Sequence, residues 1–294
     1  MTRRWKLGDW LFNTANYTFM VLLAAATLYP FLYVLACSFS DPLEVISGRV
    51  TIWPRGLSTE AYEIVLGART LWTAYGNTLF YVAAGTTLNV VMTMLGAYPL
   101  SRRTLYGRGL FSFIIVLTMF FGAGMIPSFL LIKTLNLLNT RWAMILPGAV
   151  SAWLLIMTRT YIQANVPDEL VEAAQIDGAN DVQIMARVVV PVSLPIMAVI
   201  ALFYAVGHWN EYVSALIYLR DLSLMPLQVV LRQIVIANQV SAEFLQNMDQ
   251  VERAWIGESV KHATIIVATA PILFFYPFLQ RYFVKGMLIG SLKG

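Results

Sequence analysis

Six stretches of this chain, at 17–37, 71–97, 110–132, 141–161, 190–212 and 263–283, stay apolar for about the length of a bilayer crossing. Roughly 20 helical residues, rising about 1.5 Å each, span a hydrocarbon core of about 30 Å. Runs of that length constrain the fold class more than any other feature. They predict an all-α integral membrane protein with six transmembrane helices, forming a single membrane domain over 1–294. Only 12% of the residues are charged, about half of what a soluble domain carries.

The net charge of +4 does not point to nucleic acid, because no basic cluster accompanies it. Arginine and lysine gather instead at the cytoplasmic ends of membrane helices. With the N-terminus inside, the inner segments hold eleven basic residues: Arg3, Arg4, Lys6, Arg102, Arg103, Arg108, Arg159, Arg187, Arg281, Lys285 and Lys293. The short outer segments hold five: Arg49, Arg55, Arg69, Lys133 and Arg141. Both termini are therefore expected in the cytoplasm of a bacterial cell, with the chain in its inner membrane. The basic start, MTRRWKLGDWLF, reads as an uncleaved anchor, since the run after it is too long for a signal-peptide core. Cys37 stands alone, so no internal disulfide framework exists.

Two outer segments are large. Residues 41–70 carry Pro and Gly turn signals. Residues 213–262 form an extracytoplasmic loop long enough for short helices of its own, and a loop of that size usually contacts something. Prolines recur within the runs, at Pro30, Pro127, Pro147, Pro195, Pro271 and Pro277. Each is either a kink that lets a gate move or an ordinary membrane-helix proline.

One polar island interrupts this pattern. The stretch NVPDELVEAAQIDGANDVQIMARVVVP at 165–191 carries Asp168, Glu169, Glu172, Asp177 and Asp181. Pro167 suits a helix start, and Asp168 and Glu169 suit the positive end of the helix dipole. Gly178, after Asp177, is a natural terminator. Asn180 then caps a second helix, with Gln183 as its capping-box partner. The apolar face of that helix is expected to be Val182, Met185, Ala186 and Val189. Small Ala173 and Ala174 beside Glu172 would admit a close partner and offer an arginine a charge-assisted pair, although an interfacial loop without a partner would look similar.

The segment EAAQIDGANDVQIMARVVVP resembles the EAA loop of ABC-importer permeases, in which E-A-A is followed by G after three residues and by I-x-L-P after nine more. Here Glu172, Ala173, Ala174 and Gly178 match, and Val188 and Val190 replace the Ile and Leu before Pro191. The span layout and the tail QRYFVKGMLIGSLKG are similar to the maltose-type permeases. The stretch FYAVGHWNEYVSALIYLRDLSLMPLQVVLR resembles carbohydrate permeases of the aldouronate, alginate and lipoprotein-type subgroup. The resemblance implies a type I importer permease fold with a cytoplasmic coupling loop at 162–189. It also implies ATPase contact through Glu172, Ala173, Ala174, Asp177 and Gly178, and through the tail (284–294) at Lys285, Gly286 and Gly290. Implied partners are a homologous permease, two ATPase subunits, an extracytoplasmic sugar-binding protein and membrane lipid. ATP and Mg would sit on the ATPases, and this chain would bind no cofactor.

Polar and aromatic side chains within the runs mark a candidate substrate path: Asn77, Asn89, Trp153, Tyr204, His208, Asn210 and Glu211. His208 and Glu211, three apart, are expected to pair on one helix face. Helix packing or interfacial anchoring explains several of these equally well. No Gly-Lys dipeptide exists, so the chain has no P-loop of its own. H-E-x-x-H and G-x-S-x-G are absent too, which argues against a membrane enzyme. The sugar is expected to be an oligosaccharide, acidic ones such as alginate or aldouronate included, against two alternatives: a non-sugar permease of the same superfamily, or an ATP-independent secondary transporter.

Overall fold

The computed structural model describes residues 7–235 and 255–274, which are mostly helical with no strand among them. Chain contacts divide the protein into two units, Met1–Leu71 with Leu231–Pro271, and Trp72–Val230 with Ile272–Gly294.

In the first unit, α1 (Leu7–Ser38) contains Pro30 and is apolar on every side. Only 6% of its most apolar 18-residue window is buried, as befits a helix whose solvent is lipid or another membrane protein. Asp41 caps α2 (Pro42–Ile46) by accepting from Leu43 N–H at 2.8 Å, with Pro42 at the first helical position. α3 (Glu60–Gly67) follows, and Tyr62 shares a 2.8 Å hydrogen bond with Ser38. Cys37 is fully buried beside Ala36, Val45 and Val50, where it serves as a small apolar side chain. The helix at 255–274 belongs chiefly to this unit, and its His262 meets Tyr33 edge-on at 6.0 Å.

α4 (Arg69–Ser101) leads into the second unit. The apolar runs expected at 17–37 and 71–97 lie within α1 and α4. Three of the others are less straight than their composition suggested, and the run at 263–283 lies partly outside the described residues. The run at 110–132 is two helices, α5 (Arg108–Phe120) and α6 (Met125–Thr134), bent by 115°. The break holds Gly122 and Gly124, and Gly124 has φ 79°, which interrupts helical hydrogen bonding. The run at 141–161 is also split, into α7 (Trp142–Ile145) and α8 (Ala152–Asn165), with Pro147 and Gly148 between.

The polar island then forms α9 (Asp168–Ile176) and α10 (Asp181–Ile184). A π-turn (Met185–Val189) and α11 (Val190–Val192) connect these to α12 (Leu194–Asn210). The chain bends by 84° between α11 and α12, where Ser193 lies between Pro191 and Pro195. α13 (Val213–Tyr218), a 3-10 turn (Leu222–Leu224) and α14 (Leu227–Val235) complete the described part. α1 and α4 are long and apolar enough to cross a membrane, and each bent pair passes that test when taken as one.

Part of the long loop expected at 213–262 is therefore ordered. Asn77 on α4 donates to the carbonyls of Ser223 and Met225 at 2.7 and 3.2 Å. Tyr81 donates to Leu224 O at 2.8 Å, and Leu227 N–H donates to Thr78 Oγ1 at 2.9 Å. Beneath these bonds Tyr81, Met144, Ala215, Leu219 and Val229 form a core. Residues 236–254 of that loop lie outside the described residues, as do Lys285, Gly286 and Gly290.

Candidate functional site

At the other end of α4, helices α4, α8 and α9 share one apolar core. Met94, Ala97 and Leu100 pack with Leu155, Ile162, Val171, Ile184 and Val189. The last carbonyls of α4, orphaned by the helix end, accept from α8: Arg159 Nε donates to Leu100 O at 3.0 Å and Gln163 Nε2 to Ser101 O at 3.2 Å. Arg102 pairs with Asp168 at 3.2 Å, tying the start of α9 to the end of α4. The elbow is thus seated by Val171 below and an ion pair at one end.

Its turn follows from the sequence. Pro167 occupies the N-cap position of α9, with Asp168 and Glu169 in the first turn. At the other end Gly178 has φ 80°, Ala179 N–H donates to Ala174 O at 2.9 Å and Gly178 N–H to Gln175 O at 3.0 Å. That pair of bonds is a Schellman motif. Asn180 and Gln183 close a reciprocal capping box at 2.9 and 3.0 Å. Helix, left-handed glycine and capped helix hold a fixed angle without help from outside.

Glu172, Ala173, Asp177 and Gly178 are exposed together, with Ala174 half-buried beneath them. Two large apolar side chains join them: Ile176 is 87% exposed and Val182 70%. The expected inward face of the second helix needs correction here. Val182 and Ala186 point outward, while Ile184, Met185, Val188 and Val189 pack inward. For Ala186 the π-turn accounts for this, because a wider turn shifts the angular register of the residues in and after it; Val182 lies ahead of that turn on α10, where Ile184 is the buried side chain. Gly178→Val is expected to cost about 1–2 kcal/mol through a left-handed β-branched residue. This should appear as a lower thermal midpoint of the purified protein, with unchanged membrane insertion.

A second region lies between α8 and α12. A pocket of the second unit is lined by Gly148, Ser151, Trp153, Phe203, Tyr204, His208 and Glu211 among others. The structure therefore brings together four of the expected path residues, Trp153, Tyr204, His208 and Glu211. Asn89 stands behind them, fully buried, sharing a 2.7 Å hydrogen bond with His208 Nε2 and donating to the carbonyl of Gly148. Tyr204 Oη shares a 2.8 Å bond with Thr93 and accepts from Ser151 N–H at 3.0 Å. Trp153 meets Phe203 edge-on at 5.7 Å and stays exposed on the pocket wall.

Asn77 and Asn210 do not line this pocket. Asn77 holds the 222–225 turn and accepts from Arg141 at 3.2 Å. Asn210 is exposed and donates to Val206 O of its own helix at 2.9 Å. No hydrogen bond or ion pair joins the side chains of His208 and Glu211, although both line the pocket. α12 ends at Asn210, Glu211 turns to extended backbone at ψ 119°, and its carboxylate accepts from Ser214 N–H at 2.9 Å. Sequence reasoning missed Phe203, Thr93, Ser151 and Gly85. The imidazole of His208 lies so close to Gly85 that a β-carbon there would overlap it, and a glycine inside an apolar run was the available sign.

The helical architecture, the glycine-stopped elbow and the pocket between α8 and α12 are joined by what comparison with known proteins finds. Residues 89–289 match the family of binding-protein-dependent transport system inner membrane components. The chain is 41% identical over 286 residues to the polygalacturonan/rhamnogalacturonan transport system permease protein YtcP of Bacillus subtilis, covering 97% of this chain and 99% of that one. It is 40% identical over 285 residues to protein LplC of the same organism, covering 97% and 95%. A solved chain of a bacterial ABC transporter involved in import of the acidic polysaccharide alginate superposes with a TM-score of 0.90 at 35% identity, over 96% of this chain and 100% of that one. This chain belongs to the binding-protein-dependent permease family. It is an integral membrane protein with the all-α importer permease fold.

Proposed function

We propose that this chain is the permease subunit of an ATP-driven, binding-protein-dependent importer of oligosaccharides, acidic ones included. The observation that carries the reading is the elbow: a docking face of Glu172, Ala173, Ile176, Asp177 and Val182, held rigid by the Schellman turn and seated on α4 and α8. A face so stiffly held transmits displacement to the helices that support it. In this reading an ATPase subunit grips the face from the cytoplasm, and α4 and α8 relay its motion to the pocket. Two ATPase subunits holding ATP and Mg, a homologous permease and an extracytoplasmic binding protein complete the assembly. The basic-residue asymmetry supports an inner-membrane chain with both termini inside.

The likeness to permeases named for polygalacturonan/rhamnogalacturonan and to the alginate importer supports an acidic oligosaccharide. The pocket lining holds no lysine or arginine and sets the rings of Trp153, Phe203 and Tyr204 beside hydrogen-bonding groups, with Glu211 as its single carboxylate. Such a wall stacks on sugar rings, leaving carboxylate recognition to the partner permease. Tyr204→Phe removes both the Thr93 and the Ser151 contacts, and losing the partner of a buried donor costs about 1–3 kcal/mol. Uptake of loaded oligouronates by reconstituted complexes is expected to fall about ten-fold. The reading fails if purified complexes contain no ATPase or if uptake proceeds without ATP.

A further inference from the structure

A polar hollow lies beside the elbow, between the end of α4, the start of α5 and the α8–α9 connection. Ser101, Arg102, Arg103, Arg108, Gln163 and Asp168 supply its polar lining. Asp168 is its single carboxylate, and it is already engaged with Arg102 at 3.2 Å. Arg103 and Arg108 make no ion pair with any described residue. Three guanidinium groups thus face one carboxylate. Arg108 also opens α5, whose N-cap is Gly107, a residue with no side chain to satisfy the N–H groups of the first turn. Guanidinium forks and a helix N-terminus both favour phosphate oxygens.

The surroundings indicate where the phosphate comes from. Directly beyond the arginines, Leu110, Phe111 and Phe113 of α5 are exposed, and Tyr106 is 96% exposed at the turn before them. An apolar helix face above a cationic hollow, with an aromatic ring at the boundary, matches a lipid in shape: acyl chains along α5 and headgroup below.

We propose that Arg102, Arg103 and Arg108 form a phosphate-group site that holds the headgroup of an anionic phospholipid against the base of the coupling elbow. Bound there, the headgroup would neutralise the excess charge beside Asp168 and brace the α4–α9 junction.

The test is native mass spectrometry of the intact importer complex, purified in detergent and titrated with phosphatidylglycerol or phosphatidylcholine. Wild-type complex is expected to retain phosphatidylglycerol preferentially. Each of Arg103→Gln and Arg108→Gln is expected to weaken that preference about five-fold, the contribution of one basic residue near a lipid surface. Arg103 is exposed, so Arg103→Gln gives a readout even if Arg108→Gln folds poorly. Millimolar inorganic phosphate distinguishes the sources: no displacement of lipid supports the headgroup, whereas full displacement supports the same site filled by free phosphate. Equal retention of both lipids by the wild type, or an undiminished preference in the Arg103→Gln and Arg108→Gln variants, overturns the site.

Discussion

Replacing Glu172 by alanine is expected to leave the permease inserted and folded while cutting ATP-driven uptake by at least ten-fold. The folded state loses nothing by the change. Glu172 is exposed on α9 and makes no ion pair with a described residue, and alanine is the best helix former available. Val171, the neighbouring side chain that seats the helix, is buried and untouched. If, as proposed, Glu172 pairs with a basic residue of an ATPase subunit, the change removes one half of an interfacial charge pair, which costs about 2–5 kcal/mol, chiefly by stranding the other charge. Uptake and ATP hydrolysis measured together in proteoliposomes would show hydrolysis persisting while transport fails. Glu169→Ala, an exposed carboxylate one turn earlier, is the matched control and should change little. Wild-type uptake by Glu172→Ala would remove the docking role from this face.

The second large effect is expected from Gly85→Ala, deep in α4 and far along the chain from the elbow. A methyl group at that position would overlap the His208 imidazole, so the ring must leave its 2.7 Å hydrogen bond with Asn89. Overpacking of this kind costs about 1–3 kcal/mol, and Asn89, fully buried, loses one of its partners. Uptake should fall more than ten-fold, with a lower thermal midpoint. The double variant Gly85→Ala with His208→Ala supplies the decisive comparison. Removing the ring makes room for the methyl group, so the midpoint should recover while transport does not. If the midpoint stays low in the double variant, the helix contact does not work as described.

Local chemistry was readable where the sequence spells out a terminus. The stop at Gly178, the Asn180–Gln183 box and the acidic first turn of α9 all follow from side chains acting within a few residues of themselves. Long-range consequences were not readable in the same way. Apolar length announces a crossing but says nothing of straightness, so the 115° break after Phe120 and the gap between Ile145 and Ala152 stayed hidden. Among the path residues, Asn89 and Asn77 share a helix and a residue type, yet only Asn89 stands behind the pocket. Asn77 is claimed by backbone carbonyls from a loop about 150 positions away in the chain, a partnership that periodicity does not encode. His208 and Glu211 share a pocket without a side-chain hydrogen bond between them, because helix α12 ends at Asn210 and the Glu211 carboxylate turns to Ser214 N–H.

The wide turn at Met185–Val189 has a consequence for how the docking face is aimed. Absorbing one surplus residue rotates everything beyond it by about 100° relative to an uninterrupted α-helix. The azimuth of the face about the axis of its supporting segment is therefore a matter of counting rather than of chemistry. Losing a single residue from 185–189 would keep every group on the face intact and swing it toward the bilayer or open water. At this joint the number of residues constrains the machine more tightly than their identity.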